Sequence, residues 1–325
     1  MDNPADTPRD HGGNLADAMA RYGGATEDWL DLSTGINPMA WPVGPISNAA
    51  WTRLPDKSAS DALLAAARRT YDIAPEAEVI AAPGASALIR LMPRLAHPTT
   101  VAIPGPTYNE HAAAFVAEGW QVTEHPGPGV TAAVIVNPNN PDGRLWALEE
   151  LQVMAEAMDL LVVDESFMDP TPEGSMAAIA GREGLVILRS FGKFYGLAGL
   201  RLGFAITGPE TARRLAELLG PWAVSGPALE IGAAALRDDD WAEAERTRLD
   251  RAVARLVKLA EQAGWRHVGG TTLFRTFDTP GAVAAQHRLA EHRIWSRVFP
   301  YSGTWLRLGL PGTADEWERL ERALA

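Results

Sequence analysis

Short apolar runs alternate with helical periodicity through the middle of the chain. Each run is long enough for one buried strand, and most are followed by a segment with the apolar spacing of an amphipathic helix. The strand-like runs are EVIAAPG, TVAIPGPTY, AAVIVNP, LLVVDES and GLVILRS, and the helical segments after the first three are SALIRLMPRLA, NEHAAAFVAEG and ALEELQVMAEAM. Continuous Val, Ile and Leu runs separated by helices are typical of a parallel sheet that helices cover on both faces. The pattern therefore predicts an α/β fold with a mostly parallel sheet.

The pattern changes after Gly208. A long charged helix, WAEAERTRLDRAVARLVKLAEQAG, is followed by the short strand-like runs TLFRTF, IWSRVF and TWLRLGL, which mix with helices. This mixture is typical of a small α+β domain. Three aspartates, Asp238–Asp240, precede the long helix. They favour a helix start over a metal site, because carboxylates interact favourably with the N-terminal end of a helix dipole.

Composition narrows the classes of function. The chain has 325 residues, of which 46% are hydrophobic, a net charge of −12 and no cysteine. Without cysteine it has no disulfide, thiolate nucleophile, Cys-ligated zinc or iron–sulfur cluster. The acidic balance argues against binding of nucleic acid. No stretch has the roughly 20 apolar residues of a membrane span, and the polar first residues have no signal-peptide pattern. We therefore expect a cytoplasmic protein.

One lysine lies in a chemically suggestive context. The chain has only three lysines, Lys57, Lys193 and Lys258. Lys193 is in the glycine-rich segment SFGKFYGLAGLR, directly after the strand-like run GLVILRS, and Arg201 ends that segment. Apolar neighbours favour the uncharged, nucleophilic form of an amine, and arginine binds phosphate well. The local pattern alone is also that of a solvated lysine in a surface loop.

Other polar residues follow strands at the edge of the sheet where α/β proteins bind ligands. Asp164 ends a buried run and needs a partner there, which is either a protonated ring nitrogen, a helix cap or an ion pair. Asn140 is in NPNNPDG, which is also a good turn sequence. Gly84-Ala85-Ser86 suits a phosphate at a helix N-terminus. Tyr108 suits either stacking on a planar ring or packing in the core.

In this order and at these spacings, NPNNP, DES and SFGK followed by GLRLGF resemble the fold-type I pyridoxal-phosphate enzymes, the aminotransferase-like superfamily. The resemblance covers essentially the whole chain. It implies pyridoxal 5′-phosphate as the cofactor, with Lys193 as its covalent attachment point and Asp164 on the pyridine nitrogen. Asn140 would bind the ring 3′-oxygen, and Tyr108 would stack on the ring. The residues implied for the cofactor phosphate are Ala85, Ser86, Ser190 and Arg201.

The N-terminal segments HGGN at 11–14 and DLSTGINP at 31–38 are similar to those of phosphothreonine decarboxylases, within the histidinol-phosphate aminotransferase branch. This resemblance implies decarboxylation of O-phospho-L-threonine to (R)-1-amino-2-propanol O-phosphate in cobalamin biosynthesis. The alternative is an aminotransferase acting on histidinol phosphate or a related amino acid. A non-catalytic ligand-sensing protein on the same fold is a third reading. Phe167, where many aminotransferases have a tyrosine, is typical of the decarboxylases.

The same resemblance implies a set of substrate contacts. Within that set, Arg307 is the candidate for a carboxylate and Arg297 for a second anionic group, with a surface ion pair as the alternative for each. A homodimer is implied too, although Leu54 stands where relatives have a tyrosine that reaches the partner's cofactor phosphate. Residues 35–225 would form the large cofactor-binding domain, and residues 1–34 would join 226–325 in the small domain. The implied substrate residues are His11, Gly12, Gly35, Asn140, Arg297 and Arg307.

Overall fold

The computed structural model describes residues 11–325 and divides them into two units. Residues 41–140 and 144–242 form the large unit. The small unit contains the remaining described residues, 11–40, 141–143 and 243–325. The boundaries predicted after residues 34 and 225 both lie earlier in the chain than these divisions.

Strands and helices alternate along most of the described chain. The strands are β1 (Leu30–Asp31), β2 (Glu78–Ala82), β3 (Thr100–Ala102), β4 (Gln121–Thr123), β5 (Ala132–Val136), β6 (Leu160–Asp164), β7 (Leu185–Ser190), β8 (Gly203–Thr207), β9 (Arg266–Thr271), β10 (Phe274–Asp278), β11 (Ile294–Trp295), β12 (Arg297–Phe299) and β13 (Ser302–Leu308). The helices are α1 (Leu15–Tyr22), α2 (Asn48–Thr52), α3 (Lys57–Thr70), α4 (Ala85–Leu91), α5 (Asn109–Ala117), α6 (Leu148–Ala157), α7 (Phe191–Phe194), α8 (Pro209–Leu219), α9 (Gly226–Ala235), α10 (Asp239–Gln262), α11 (Ala282–Glu291) and α12 (Ala314–Leu324).

The large unit is organised around a seven-stranded sheet in the order β2-β8-β7-β6-β5-β3-β4. The five strands from β7 to β4 run parallel, whereas β8 is antiparallel to both β2 and β7. Every residue of β5 and β6 is buried, so these strands have continuous apolar sequences instead of a polar alternation. Apolar residues of α4 and α5 belong to the same core as the strands. The predicted fold class, a mostly parallel sheet covered by helices, is confirmed.

The register of the sheet brings several polar segments to one edge. Val136 pairs with Asp164, and Asp164 pairs with Leu188, so β5, β6 and β7 reach their carboxyl ends together. Each strand then leads into one of the candidate segments. Asn140 follows β5, Asp164 ends β6, and Lys193 follows β7.

The large unit extends beyond the predicted boundary at residue 225 because α9 packs against α2 and α3. The approach is close at Gly226, where a Cβ atom would lie 2.2 Å from the carbonyl oxygen of Ala50. The unit ends at the start of α10. There Asp238 Oδ1 accepts a hydrogen bond from the Trp241 N–H (3.1 Å), and Asp239 pairs with Arg69 (2.6 Å). The aspartate run therefore begins a helix, as predicted.

The small unit contains an antiparallel sheet in the order β12-β13-β10-β9 and a separate parallel pair, β1 with β11. Aromatic side chains join its N-terminal and C-terminal segments. The rings of Trp29 and Trp295 meet edge to face with 6.2 Å between their centroids, and Tyr22 of α1 packs against both. These contacts hold α1 and β1 against elements from the end of the chain.

Residues 141–143 belong to the small unit because they pack tightly against β9 and β10. Thr276 Oγ1 donates a hydrogen bond to the carbonyl oxygen of Pro141 (2.5 Å). Gly143 has a φ of +71°, and a Cβ atom at this position would lie 2.1 Å from the carbonyl oxygen of Gly270. Only glycine fits such a position. Across residues 11–325, no three His, Asp or Glu side chains are grouped to hold a metal ion, and no helix of that range is long and apolar enough to cross a membrane.

Candidate active site

Asp164 is a buried carboxylate at the end of β6, with only 2% of its surface exposed. Its Oδ2 atom lies 2.8 Å from His111 Nε2, and its Oδ1 accepts hydrogen bonds from the backbone N–H (2.9 Å) and the hydroxyl (2.5 Å) of Ser166. Burial raises the pKa of Asp164, but the hydrogen bonds and charge of His111, together with those of Ser166, outweigh burial and hold the pKa below its ordinary value. A carboxylate held in this state is suited to bind a cationic ring nitrogen.

His111 is a site residue that the sequence reasoning missed. It lies on α5, one turn after Tyr108, and its side chain is fully buried. The rings of Tyr108 and His111 meet edge to face with 6.1 Å between their centroids. Among the described residues, His111 Nδ1 has no hydrogen-bond partner, so Asp164 is the polar contact that the imidazole makes. The available signal was a single histidine directly before the apolar run AAAFVA of α5, which is also typical of a structural core residue.

Lys193 lies on α7, a single turn of helix that begins directly after β7. Its Nζ atom is 5.6 Å from the centroid of the Phe167 ring, and Phe167 itself is buried. The turn is compact, because a Cβ atom at Gly192 would lie 2.6 Å from the Cα of Ala198. Phe167, three residues after Asp164, therefore lies beside the lysine amine and presents an apolar ring to it.

Arg201 lies against the N-terminal end of α4. Gly84, the N-cap residue of α4, has a φ of +89°, and a Cβ atom there would lie 2.6 Å from Arg201 Nη2. Ser190 is close to the same helix end, since it pairs with Gly203, and a Cβ atom at Gly203 would lie 2.4 Å from the backbone nitrogen of Ala85. The first N–H groups of a helix have no partners within the helix and attract anions. A guanidinium beside them makes this point a favourable phosphate site.

The turn after β5 is fixed by its asparagines. Asn139 accepts a hydrogen bond from Thr107 Oγ1 (2.6 Å) and donates one to the carbonyl oxygen of Pro106 (3.0 Å). Asn137 Oδ1 accepts one from the backbone N–H of Trp146 (3.0 Å). These contacts hold the backbone on either side of the half-buried Asn140. The predicted cofactor residues are thus assembled at the edge of one sheet.

A buried ion cluster lies between β7 and the segment after β6. Arg189, which is 1% exposed, donates hydrogen bonds to Glu165 (2.8 Å) and Asp169 (2.6 Å), and its guanidinium lies 4.3 Å from the centroid of the Tyr71 ring. Burial lowers the pKa of Arg189, but the attraction of Asp169 and Glu165 outweighs it and raises that pKa above its ordinary value. Glu165 directly follows Asp164, and Arg189 lies four residues before Lys193. The cluster therefore ties together the two segments that carry the candidate catalytic residues.

These groups of the large unit fit pyridoxal phosphate. The cofactor needs a carboxylate for its ring nitrogen, an amine for its aldehyde and a cationic cradle for its phosphate. Asp164 is a buried ionised carboxylate, Lys193 supplies the amine, and the positive-φ Gly84 leaves room for Arg201 at a helix N-terminus. The binding roles of the individual residues stay predictions.

The small unit contains two adjacent arginines, both of which were predicted as substrate residues. Arg297 of β12 and Arg307 of β13 are directly opposite each other in the antiparallel sheet. Arg307 is 6% exposed, and its guanidinium lies 4.9 Å from the centroid of the Phe274 ring. Burial, followed by repulsion from Arg297, lowers the pKa of Arg307 to about 10. Two like charges at such a position repel each other, so an anion between them would be stabilising.

Ser33 contacts both the HGGN segment and Arg307. The backbone N–H of Gly13 donates a hydrogen bond to Ser33 Oγ (2.7 Å), and Arg307 Nη2 donates one to the Ser33 carbonyl oxygen (2.7 Å). A Cβ atom at Gly12 would lie 2.4 Å from that same oxygen. Gly35 is buried two residues further along. His11, Gly12, Gly35, Arg297 and Arg307, the predicted substrate residues of this unit, therefore share one region of it.

Comparison with known proteins adds independent evidence. Residues 48–324 match the family Aminotransferase class I and II. The sequence is 43% identical to a threonine-phosphate decarboxylase of Sinorhizobium sp. and 41% identical to one of Pseudomonas aeruginosa, and each alignment covers 97% of both chains. The fold is similar to the crystal structure of a histidinol-phosphate aminotransferase from Sinorhizobium meliloti in complex with pyridoxal-5′-phosphate, at a TM-score of 0.81 and 18% identity, over 100% of this chain and 96% of that one.

Proposed function

We propose, from the premise that this chain belongs to the aminotransferase class I and II family, that it is a pyridoxal-phosphate-dependent decarboxylase of O-phospho-L-threonine. The observation that carries the proposal is the full-length identity of 41% and 43% to two proteins named threonine-phosphate decarboxylase. The product would be (R)-1-amino-2-propanol O-phosphate, in cobalamin biosynthesis. The cytoplasmic location expected from the sequence stays a prediction.

The residues of the large unit would hold the cofactor and prepare it for the reaction. Arg201 and the N-terminus of α4 would bind its phosphate, and Lys193 would bind its aldehyde carbon. Asp164, kept ionised by His111 and Ser166, would stabilise a proton on the ring nitrogen. When bound, the cofactor supplies a ring that accepts an electron pair from the substrate Cα.

The residues of the small unit would select the bond that breaks. Arg307 would bind the substrate carboxylate with its planar fork of donors, and Arg297 with His11 and Gly12 would bind the phosphate. Decarboxylation breaks the bond between Cα and the carboxylate carbon, CO₂ leaves, and a proton takes its place on Cα. The ammonium form of Lys193 is our candidate donor of that proton. A fixed carboxylate favours this bond over Cα–H, because orientation decides which bond is aligned for cleavage.

Release of CO₂ from O-phospho-L-threonine is the direct test. The purified protein, loaded with pyridoxal 5′-phosphate, should release one CO₂ for each amine product formed, without a keto acid. If CO₂ is not released and the protein instead consumes a keto acid in exchange for the substrate amine, the decarboxylase proposal is wrong and the protein is an aminotransferase.

The role of Lys193 has a matched control in Lys57, since these are two of only three lysines in the chain. Lys57 is exposed at the start of α3 and pairs with Asp61 on the surface. Lys193→Ala should abolish both activity and the visible absorbance of the bound cofactor, whereas Lys57→Ala should change neither. An unchanged visible spectrum in Lys193→Ala would contradict the cofactor assignment.

The proposed assembly is a homodimer. Large apolar side chains are exposed along residues 39–54, among them Trp51 (64%) and Leu54 (67%). Exposed apolar groups of this size favour coverage by another protein surface. A second copy of this chain is the partner we propose. Sedimentation at micromolar concentration should give the mass of two chains, and a fully active monomer would contradict the dimer.

A further inference from the structure

Ser33 lies at the centre of a small hydrogen-bond relay in the small unit. The residue lies two positions after the end of β1 and is 1% exposed. Its backbone N–H and its hydroxyl both donate to Asp31 Oδ1, at 2.9 and 2.5 Å. A serine hydroxyl has one proton, so the bond to Asp31 leaves its oxygen as an acceptor. That oxygen accepts the backbone N–H of Gly13 at 2.7 Å. The side chain of Ser33 thus connects the carboxylate of Asp31 to the HGGN segment at residues 11–14, which we call the glycine segment.

The backbone of Ser33 faces the predicted anion site. Its carbonyl oxygen accepts a hydrogen bond from Arg307 Nη2 (2.7 Å). A Cβ atom at Gly12 would lie 2.4 Å from the same oxygen, so only a glycine allows the N-terminal segment to run this close. The hydroxyl of Ser33 therefore orients the glycine segment, while its carbonyl independently contacts the arginine.

The hydroxyl and the carbonyl of Ser33 contact the glycine segment and Arg307, which we assign to different anionic groups of the substrate. The Gly13 N–H is donated to Ser33, so Gly12 is the residue of this segment whose backbone N–H we assign to a phosphate oxygen. Arg307 instead presents a planar fork that suits a carboxylate. Removal of the Ser33 hydroxyl would free the glycine segment but leave the bond between Arg307 and the Ser33 carbonyl intact. The two anion contacts are therefore separable by one substitution.

We infer that Ser33 is a positioning residue, through which Asp31 holds the Gly13 backbone in place, so that the adjacent Gly12 N–H is oriented to bind the phosphate of the substrate. The inference rests on the proposed function, because it assumes a substrate that carries both a phosphate and a carboxylate. Ser33 itself does not contact the substrate. It determines the preference for phosphorylated over unphosphorylated amino acids.

Ser33→Ala tests this inference in the holoenzyme with O-phospho-L-threonine and L-threonine. Loss of one buried hydrogen bond should raise the KM for O-phospho-L-threonine about tenfold, with a change in kcat of less than about threefold. The Kd from titration of the visible cofactor absorbance should rise by the same factor. The Kd for L-threonine should change less than about twofold.

Two further variants separate positioning from general loss of stability. Thr313→Ala removes a hydroxyl from the N-cap of α12 in the same unit, where it accepts the N–H of Glu316. It should lower the melting temperature as much as Ser33→Ala does, without changing either Kd. Gly12→Ala pushes the segment away from the Ser33 carbonyl from the other side. It should weaken O-phospho-L-threonine binding selectively, even if Ser33→Ala fails to fold.

Each outcome decides the inference. An unchanged Kd for O-phospho-L-threonine in Ser33→Ala, or an equal loss for both ligands, would overturn it. It is also overturned if the wild type binds O-phospho-L-threonine no more tightly than L-threonine. If the wild type binds O-phospho-L-threonine but releases no CO₂, the proposed function fails, and the Kd ratio still supports or overturns the role of Ser33.

Discussion

Replacement of His111 by phenylalanine tests how the buried Asp164 is kept ionised. His111 Nε2 lies 2.8 Å from Asp164 Oδ2, and both side chains are almost completely buried. Phenylalanine keeps an aromatic ring on α5 but leaves that oxygen without its donor. A hydrogen bond to a charged group contributes about 1.5–3 kcal/mol. We therefore expect the apoenzyme to lose about 2 kcal/mol of unfolding free energy at neutral pH. Cofactor affinity should fall about 30-fold if the same energy is lost in holding the ring nitrogen.

The loss of stability has a defined pH dependence. Burial raises the pKa of Asp164, but His111 and Ser166 together bring it below its ordinary value. The ionised carboxylate therefore contributes stability that is fully present above its unfolded-state pKa, which is about 4. This stability is lost as the pH falls through the lower folded-state pKa. In His111→Phe the folded-state pKa is higher. The difference in unfolding free energy between the two proteins should consequently be largest at neutral pH and shrink as the pH falls towards about 4.

Urea unfolding, followed by tryptophan fluorescence from about pH 8 to about pH 4.5, measures this difference. Titration of the visible absorbance measures the cofactor Kd. His111→Gln, which keeps a side-chain N–H, should recover part of both losses. His287→Phe is the control, because its side chain is 59% exposed and pairs with Glu291 only at the surface. Equal unfolding free energies and equal cofactor Kd values for the wild type and His111→Phe would refute the reasoning.

Three further predictions concern the ion cluster and the two anion sites. Gly84→Ala should weaken cofactor binding about tenfold, because its Cβ atom would displace Arg201. Gly119→Ala, at a φ of +85° with no atom within 4 Å, should cost similar stability without changing the cofactor Kd, and equal Kd losses would contradict this account. Arg189→Met removes the buried cation that pairs with Glu165 and Asp169, and it should lower the unfolding free energy measured in urea by about 4 kcal/mol. A loss below about 1 kcal/mol would contradict this role of Arg189. Arg307→Lys removes the planar fork and should raise the KM for O-phospho-L-threonine at least about tenfold, so an unchanged KM would exclude Arg307 as the carboxylate contact.

The central sheet was predictable because its strands are buried on both faces. The continuous apolar sequences of β5, β6 and β7 admit few other structures, and each leads into a recognisable polar segment. The direction of β8 was not predictable, because an apolar strand has the same sequence pattern whether it is parallel or antiparallel. The extension of the large unit through α9 was missed for a related reason. Helix packing against α2 and α3 depends on contacts distant in sequence, such as Gly226 against Ala50.

The chemistry of the site was predictable only where it follows local motifs. Lys193, Asp164 and Arg201 lie within short segments of recognisable composition. His111 reaches Asp164 across 53 residues of sequence, so no local pattern reports their contact. Ser33 was missed because its role depends on where its carbonyl and hydroxyl point, and sequence spacing does not contain that information.

The parallel pairing of β1 with β11 has a consequence for the order in which the protein forms during synthesis. Leu30 is translated before the large unit, and its partner Ile294 is translated after it. The large unit, apart from residues 141–143, comes from one continuous stretch and has all its strands once residue 242 has left the ribosome. We therefore expect the sheet with the lysine to fold while the chain is still growing, since domains fold as units during translation. The glycine segment and Arg307 cannot meet until residue 307 has been translated, which is well after the large unit is complete. A nascent chain would then be competent to bind the cofactor well before it can recognise a substrate.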